Sequence, residues 1–137
     1  MHVRLKPVAQ VRARQLSMQG IRLAESVVTD AEGIHLKVVE VVDVKTGEVL
    51  EEGAELKTTG AYDLVSEDLV IKKVSGKDPV LMPRFPEYIR MTSKYCLTAP
   101  LLARGFEGPV KIRFVPINKI PVEDIAGTEL VNYLIID

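Results

Sequence analysis

The chain has 137 residues, of which 47% are apolar and 27% charged, with a net charge of −1. That length suits one domain, and the balance excludes the low-hydrophobicity, high-charge composition of a disordered chain. Trp is absent and aromatics make up only 5%, which argues for an aliphatic core and against recognition of nucleic acid by base stacking.

Charge is unevenly spread. No acid precedes Glu25, whereas Arg4, Lys6, Arg12, Arg14 and Arg22 are all basic. An Arg-rich, acid-free start can serve as a transit peptide, but Pro7 and Gly20 interrupt any long helix there. Residues 1–28 are therefore read as a basic arm, with Arg4, Lys6, Arg12 and Arg14 as candidate contacts to an acidic protein surface. At most a short helix is expected near residues 8–19. Residues 29–137 are expected to form the β core.

Strand signals dominate from there on. Ile34, Leu36 and Val38 alternate with His35 and Lys37, and the phase slips at Val38-Val39, which predicts a bulge. Lys45-Thr46-Gly47 reads as a turn into a return strand at Val49-Leu50. Glu51 and Glu52 are adjacent and so face opposite sides of a strand, which leaves them as solvated carboxylates rather than a pair. Asp68 to Val74 reads as a strand, Ser75 to Asp78 as its turn and Val80 to Met82 as its partner, with Pro79, Pro83 and Pro86 confining that region to edges. Tyr88 to Leu97 reads as strand. Val110, Ile112 and Phe114 alternate with Lys111 and Arg113 until Pro116. Leu130 to Ile136 is apolar on both parities, the pattern of a strand covered on both faces in a sheet centre or a subunit interface.

Chemistry-bearing residues are sparse. Cys96 is the only cysteine and cannot close an internal disulfide, so nothing suits an oxidising compartment. His2 and His35 lie far apart with no ligand at metal spacing, and no metal site is predicted. No apolar run approaches the roughly 20 residues needed to span a bilayer. A soluble protein of cytoplasm or virion is expected.

Three segments, in order, resemble the dUTPase and dCTP deaminase superfamily over residues 59–136. Thr59-Gly60-Ala61-Tyr62-Asp63-Leu64 with Ser66-Glu67-Asp68 is similar to the first motif of trimeric dUTPases. Gly105-Phe106-Glu107-Gly108-Pro109-Val110, running toward Asn118, resembles the deaminase Gly-Phe-Glu-Gly segment. Pro121-Val122, Gly127 and Leu130 to Ile136 resemble the closing strand, with Asn132 where the family carries Gln. Glu87 to Tyr95 can be laid on the family's Thr-x-Glu-Tyr strand. The resemblance implies an all-β, distorted jelly roll or β-clip, a homotrimer with Leu130, Val131, Tyr133 and Ile135 at its interface, and a ligand site drawn from Asp63, Arg104, Phe106 and Asn118.

The chain departs from the pattern where the family does its chemistry. Ala103 stands at the position of the water-orienting Asp and cannot accept a proton. Arg113 stands at the position of the deaminase Glu and is a cation. No Arg-Ser-Ser segment lies between Tyr95 and Gly105. The expectation is therefore a non-catalytic or degenerate member acting in binding or assembly, such as a protein that stabilises a viral or phage capsid, without cofactor. The alternative is an enzyme acting on a pyrimidine deoxynucleoside triphosphate, which would bring Mg2+.

Overall fold

A computed structural model describes residues 21–71 and 80–136. The described chain is mostly β: β1 (Ile21–Leu23), β2 (Val28–Asp30), β3 (Gly33–Asp43), β4 (Glu55–Leu56), β5 (Tyr62–Ile71), β6 (Val80–Arg84), β7 (Glu107–Phe114), β8 (Ile120–Pro121) and β9 (Glu129–Ile136). Two short helices, α1 (Glu87–Thr92) and α2 (Val122–Ile125), complete it. The all-β expectation holds at this level. Arg4, Lys6, Arg12 and Arg14, the helix expected near 8–19 and the turn at 75–78 lie outside the described residues.

The long strand β3 organises the molecule. Its first half lies between β2 and β9, and its second half runs beside β5. β5 in turn carries β7 along its other side, and β1 beyond the reach of β3. β9 is flanked by β3 and β6. A strand that changes neighbours midway forks the sheet, and bulges concentrate where it does so. The β3–β9 ladder shifts between Leu36 and Lys37, the β3–β5 ladder between Val38 and Glu40, and the β5–β7 ladder between Val65 and Asp68.

The sequence states the middle shift openly. Ile34, Leu36 and Val38 are buried; Val39 and Glu40 are both exposed; Val41 is buried again. One extra residue has been looped out, where the alternation slips. β7 repeats the alternation without a break, with Val110, Ile112 and Phe114 inside and Lys111 and Arg113 outside. Together with Leu64, Leu69, Leu81 and Ile89 the inward-facing side chains form one mostly aliphatic core, with Tyr62, Phe114 and Tyr133 as aromatic members. Each fully buried side chain of this size adds about 1.5–3 kcal/mol.

Several expectations are corrected. Ile21 lies in the core and β1 pairs with β5, so the sheet includes residues assigned above to the basic arm. β6 does not pair with β5; it pairs with β9, and its outer edge meets Leu102 through reciprocal Leu81–Leu102 backbone bonds of 2.8 and 3.0 Å. Residues 87–92 are helical, not extended: Pro86 precedes the first turn, Glu87 opens it, and Ile89 alone is buried. Leu130, Val131 and Tyr133 are fully buried within the chain, and Ile135 is partly buried against the same core. Their apolarity, taken above as the mark of a trimer interface, is accounted for by β3 and β6 on either side and the core beneath.

Candidate functional site

Two polar sites flank β3 where it forks, two residues apart. The first centres on Glu67, which is buried, 5% exposed, between Ser66 and Asp68 on β5. Its Oε1 accepts the Lys37 N–H at 2.9 Å, and its Oε2 accepts the Ser26 hydroxyl. Lys37 is the residue at which the β3–β9 ladder shifts. An amide displaced from its ladder and buried costs about 1–3 kcal/mol unless another acceptor is found. The Glu67 carboxylate is that acceptor. Ser66 repairs the neighbouring shift the same way: its hydroxyl accepts the Val110 N–H and donates to the Glu67 carbonyl, both at 2.8 Å.

Beside Glu67 lies a shallow recess of about 370 Å³, walled by Val39, Val65 and Pro109 and edged by Glu40 and Asp68. Its electrostatics favour a cation. Glu67 itself is committed, since both oxygens already accept hydrogen bonds from the protein. Ser26 donates to the Glu67 carboxylate, and no imidazole bonds to it among the described residues.

The second site centres on His35, which points outward from β3 with its side chain 16% exposed. Its Nε2 meets Asp30 Oδ1 at 2.8 Å, and its Nδ1 meets Glu129 Oε1. Asp30 is delivered by the tight β2–β3 hairpin, where it also accepts the Glu32 N–H at 2.8 Å. Glu129 arrives on β9 opposite Lys37. Burial alone would push the His35 ring toward neutrality, but the two carboxylates outweigh it and raise its pKa above the ordinary value. The hydrogen bond from His35 lowers the pKa of Asp30. With both nitrogens engaged, the ring has no lone pair free to take a proton from a substrate.

The hairpin beneath needs its glycine. Gly33 has φ of +130°, and a Cβ there would lie 2.3 Å from the Tyr133 carbonyl oxygen. Asn132, the residue opposite His35, is 3% exposed; its side-chain nitrogen donates to the Glu32 carbonyl at 3.1 Å, while its Oδ1 finds no donor among the described residues.

The four residues expected to share a ligand cleft do not come together. Asp63 is bound to Arg113, its cross-strand partner on β7, at 2.8 Å. Arg104 and Phe106 sit at the other end of that ladder, where Gly105 N–H donates to the Ile71 carbonyl and Ile71 N–H to the Phe106 carbonyl, both at 2.9 Å. From Asp63 to Val70, the partner of Glu107, is seven residues, roughly 20 Å of strand. Phe106 packs against the core, and Asn118 is exposed in the loop after β7. The Gly60–Leu64 motif has a local explanation too: the Tyr62 hydroxyl accepts the Lys57 N–H at 2.8 Å, and its ring occupies the space a Cβ on Gly60 would need.

Sequence reasoning missed Asp30, His35, Glu129 and the role of Glu67. The signal for His35 is faint: a histidine at an outward strand position, five residues after the Asp that opens a tight hairpin. Glu129 is 94 residues from its partner, and only the β3–β9 register reveals it. Among the described residues, no group of His, Cys, Asp or Glu is arranged to hold a metal ion, and no helix is long and apolar enough to cross a membrane. No protein-family model, curated protein or solved structure matches the chain.

Proposed function

We propose that this chain is a non-catalytic β module that works by assembly, associating with further copies of itself through the outer face of β6. The observation that carries this is where the larger apolar side chains are left uncovered. Among the described residues, every exposed hydrophobic larger than valine falls between Met82 and Ile117. Register sets two of them, Met82 and Leu101, in a row with the half-buried Leu134. Met82 lies directly opposite Leu134 on β9, and the reciprocal Leu81–Leu102 bonds set Leu101 beside Met82 on its other side. Met82 is 44% exposed and Leu101 62%. Around α1, Tyr88 and Met91 share a helix side at i, i+3 spacing, and Ile117 is drawn beside them by its N–H bond to the Thr92 carbonyl at 2.9 Å. Met and Tyr are enriched at protein interfaces, and apolar side chains left exposed side by side mark an interaction surface.

The homotrimer suggested by the dUTPase-like motifs is one form such an assembly would take, with β9 as core and the β6 face as contact. Within the same reading, the acid-free segment carrying Arg4, Lys6, Arg12 and Arg14 supplies a second, salt-sensitive attachment to an acidic partner, as a capsid-stabilising protein would require. The opposing polar sites support a non-catalytic role, because their hydrogen-bonding groups are spent on joining strands.

Light scattering on the eluting protein tests the proposal. The wild-type chain should run above its 15.2 kDa monomer mass at micromolar concentration, near threefold if the trimer forms. Met82→Glu with Leu101→Glu should return it to 15.2 kDa with little loss of thermal stability, both side chains being exposed. A wild-type protein that stays monomeric at tens of micromolar refutes the assembly reading.

A further inference from the structure

We propose that Asp30, His35 and Glu129 form a protonation latch, which clamps the β2–β3 hairpin and β9 together while the ring is charged and frees β2 when it is not. The argument begins with donors. An imidazolium has two N–H groups, and here each faces a carboxylate oxygen from a different strand. A neutral ring has one N–H and one lone pair. Neutral His35 can hold only one of the two carboxylates, and must turn a lone pair on the other.

The side that opens is Asp30. Its side chain is 43% exposed against 34% for Glu129, and it keeps the Glu32 N–H as an alternative donor. β2 is also the weaker element. It has three residues, pairs only with β3 among the described residues, and ends on the tight turn at Ala31-Glu32. β9 is held on both sides.

The surroundings reinforce the sign. Asp30 comes from β2, Glu32 from the turn and Glu129 from β9, while Arg84 on β6 lies 3.9 Å from Glu32 and Lys37 follows on β3. Three carboxylates and two exposed cations flank the ring. Loss of the ring proton therefore leaves an excess of negative charge on the face.

The linkage follows from the directions of the two shifts. His35 has its pKa raised on folding, so its contribution is complete below the ordinary histidine value and is lost as pH rises through the folded one. Asp30 has its pKa lowered, so its contribution is present above the ordinary Asp value and is lost as pH falls through the folded one. The latch is closed between these limits, in mildly acidic solution, and opens toward alkaline pH. Freed β2 exposes the edge of β3 at Gly33 to His35, a run of unpaired backbone groups open to another strand.

Two measurements test this on the intact chain. In a ring-nitrogen NMR titration, the His35 midpoint should lie above that of free histidine, and Asp30→Asn and Glu129→Gln should each lower it. In hydrogen exchange corrected for intrinsic rates, protection in β2 and its β3 partners should fall about two- to fivefold relative to the β5–β7 ladder as pH rises through that midpoint. That factor is what half-exposed ion pairs are worth in an opening equilibrium. His35→Gln should abolish the pH dependence and leave β2 permanently less protected. A wild-type midpoint at or below that of free histidine overturns the latch. So does β2 protection that tracks the β5–β7 reference at every pH. Should the variants fail to fold, both wild-type measurements still decide.

Discussion

Glu67 and Glu129 both reach strand β3, one to the backbone at Lys37 and the other to the ring at His35, and they do different work. Glu67 is buried and is met by an amide and a hydroxyl, neither of which changes charge in ordinary solution. Glu129 is half-buried and is met by a ring that does. A carboxylate matched to fixed donors repairs backbone geometry at any ordinary pH. One matched to a histidine is conditional on the proton. The two sites show how a single strand can carry a permanent join and a variable one within three residues.

The contrast can be broken most severely from the backbone. Gly33 seats the hairpin that delivers Asp30, at a φ that L side chains rarely adopt and against the Tyr133 carbonyl. Gly33→Ala should destabilise the protein by about 3 kcal/mol or more, in acid and alkali alike. Chemical denaturation at two pH values measures it. A cost below about 1 kcal/mol would mean that the hairpin relaxes freely and that the His35 site is not rigidly positioned.

Glu67→Ala comes next. It strands the Lys37 amide, whereas Ser26 is exposed and its hydroxyl can turn to water, so the loss should be about 1–3 kcal/mol. Because the orphaned partners do not titrate near neutrality, the loss should be equal at pH 6 and pH 9. Loss confined to one end of that range would show that the fork, too, depends on a titrating neighbour, and the distinction between the sites would fall.

How far the sequence foretells this depends on the range of the interaction. β7 and the first half of β3 are legible because alternation is local, and so is the bulge at Val39, which must break the phase where it occurs. Residues 87–92 misled because Tyr88, Ile89 and Thr92 favour strands individually, whereas Pro86 and a single buried face at Ile89 give a helix. β6 was misassigned by pairing it with its neighbour in sequence, when its partner is β9. The apolar strand β9 was legible as buried but not as buried by what. The His35 site was illegible for the strictest reason: its members come from β2, β3 and β9, and their meeting is a property of register rather than of any segment.

The smallest expected effect sets the scale for the others. Asp63 and Arg113 form a 2.8 Å ion pair across β5 and β7, closer than many structural salt bridges. Geometry alone would rank it with the two sites on β3. However, the Arg113 side chain is 56% exposed, so water replaces the carboxylate at little cost once the pair is broken. Arg113→Ala should change stability by less than about 1 kcal/mol, and the difference should shrink further in high salt. Asp63→Asn should behave alike, since the backbone ladder on either side is unchanged. The comparison with Glu67→Ala is the informative one: same strand, same acidic chemistry, and a carboxylate hydrogen bond in each case. If Arg113→Ala costs as much as Glu67→Ala, burial is not what separates a structural carboxylate from an incidental one in this sheet. If it costs several-fold less, the weight of each acid follows from what water can replace.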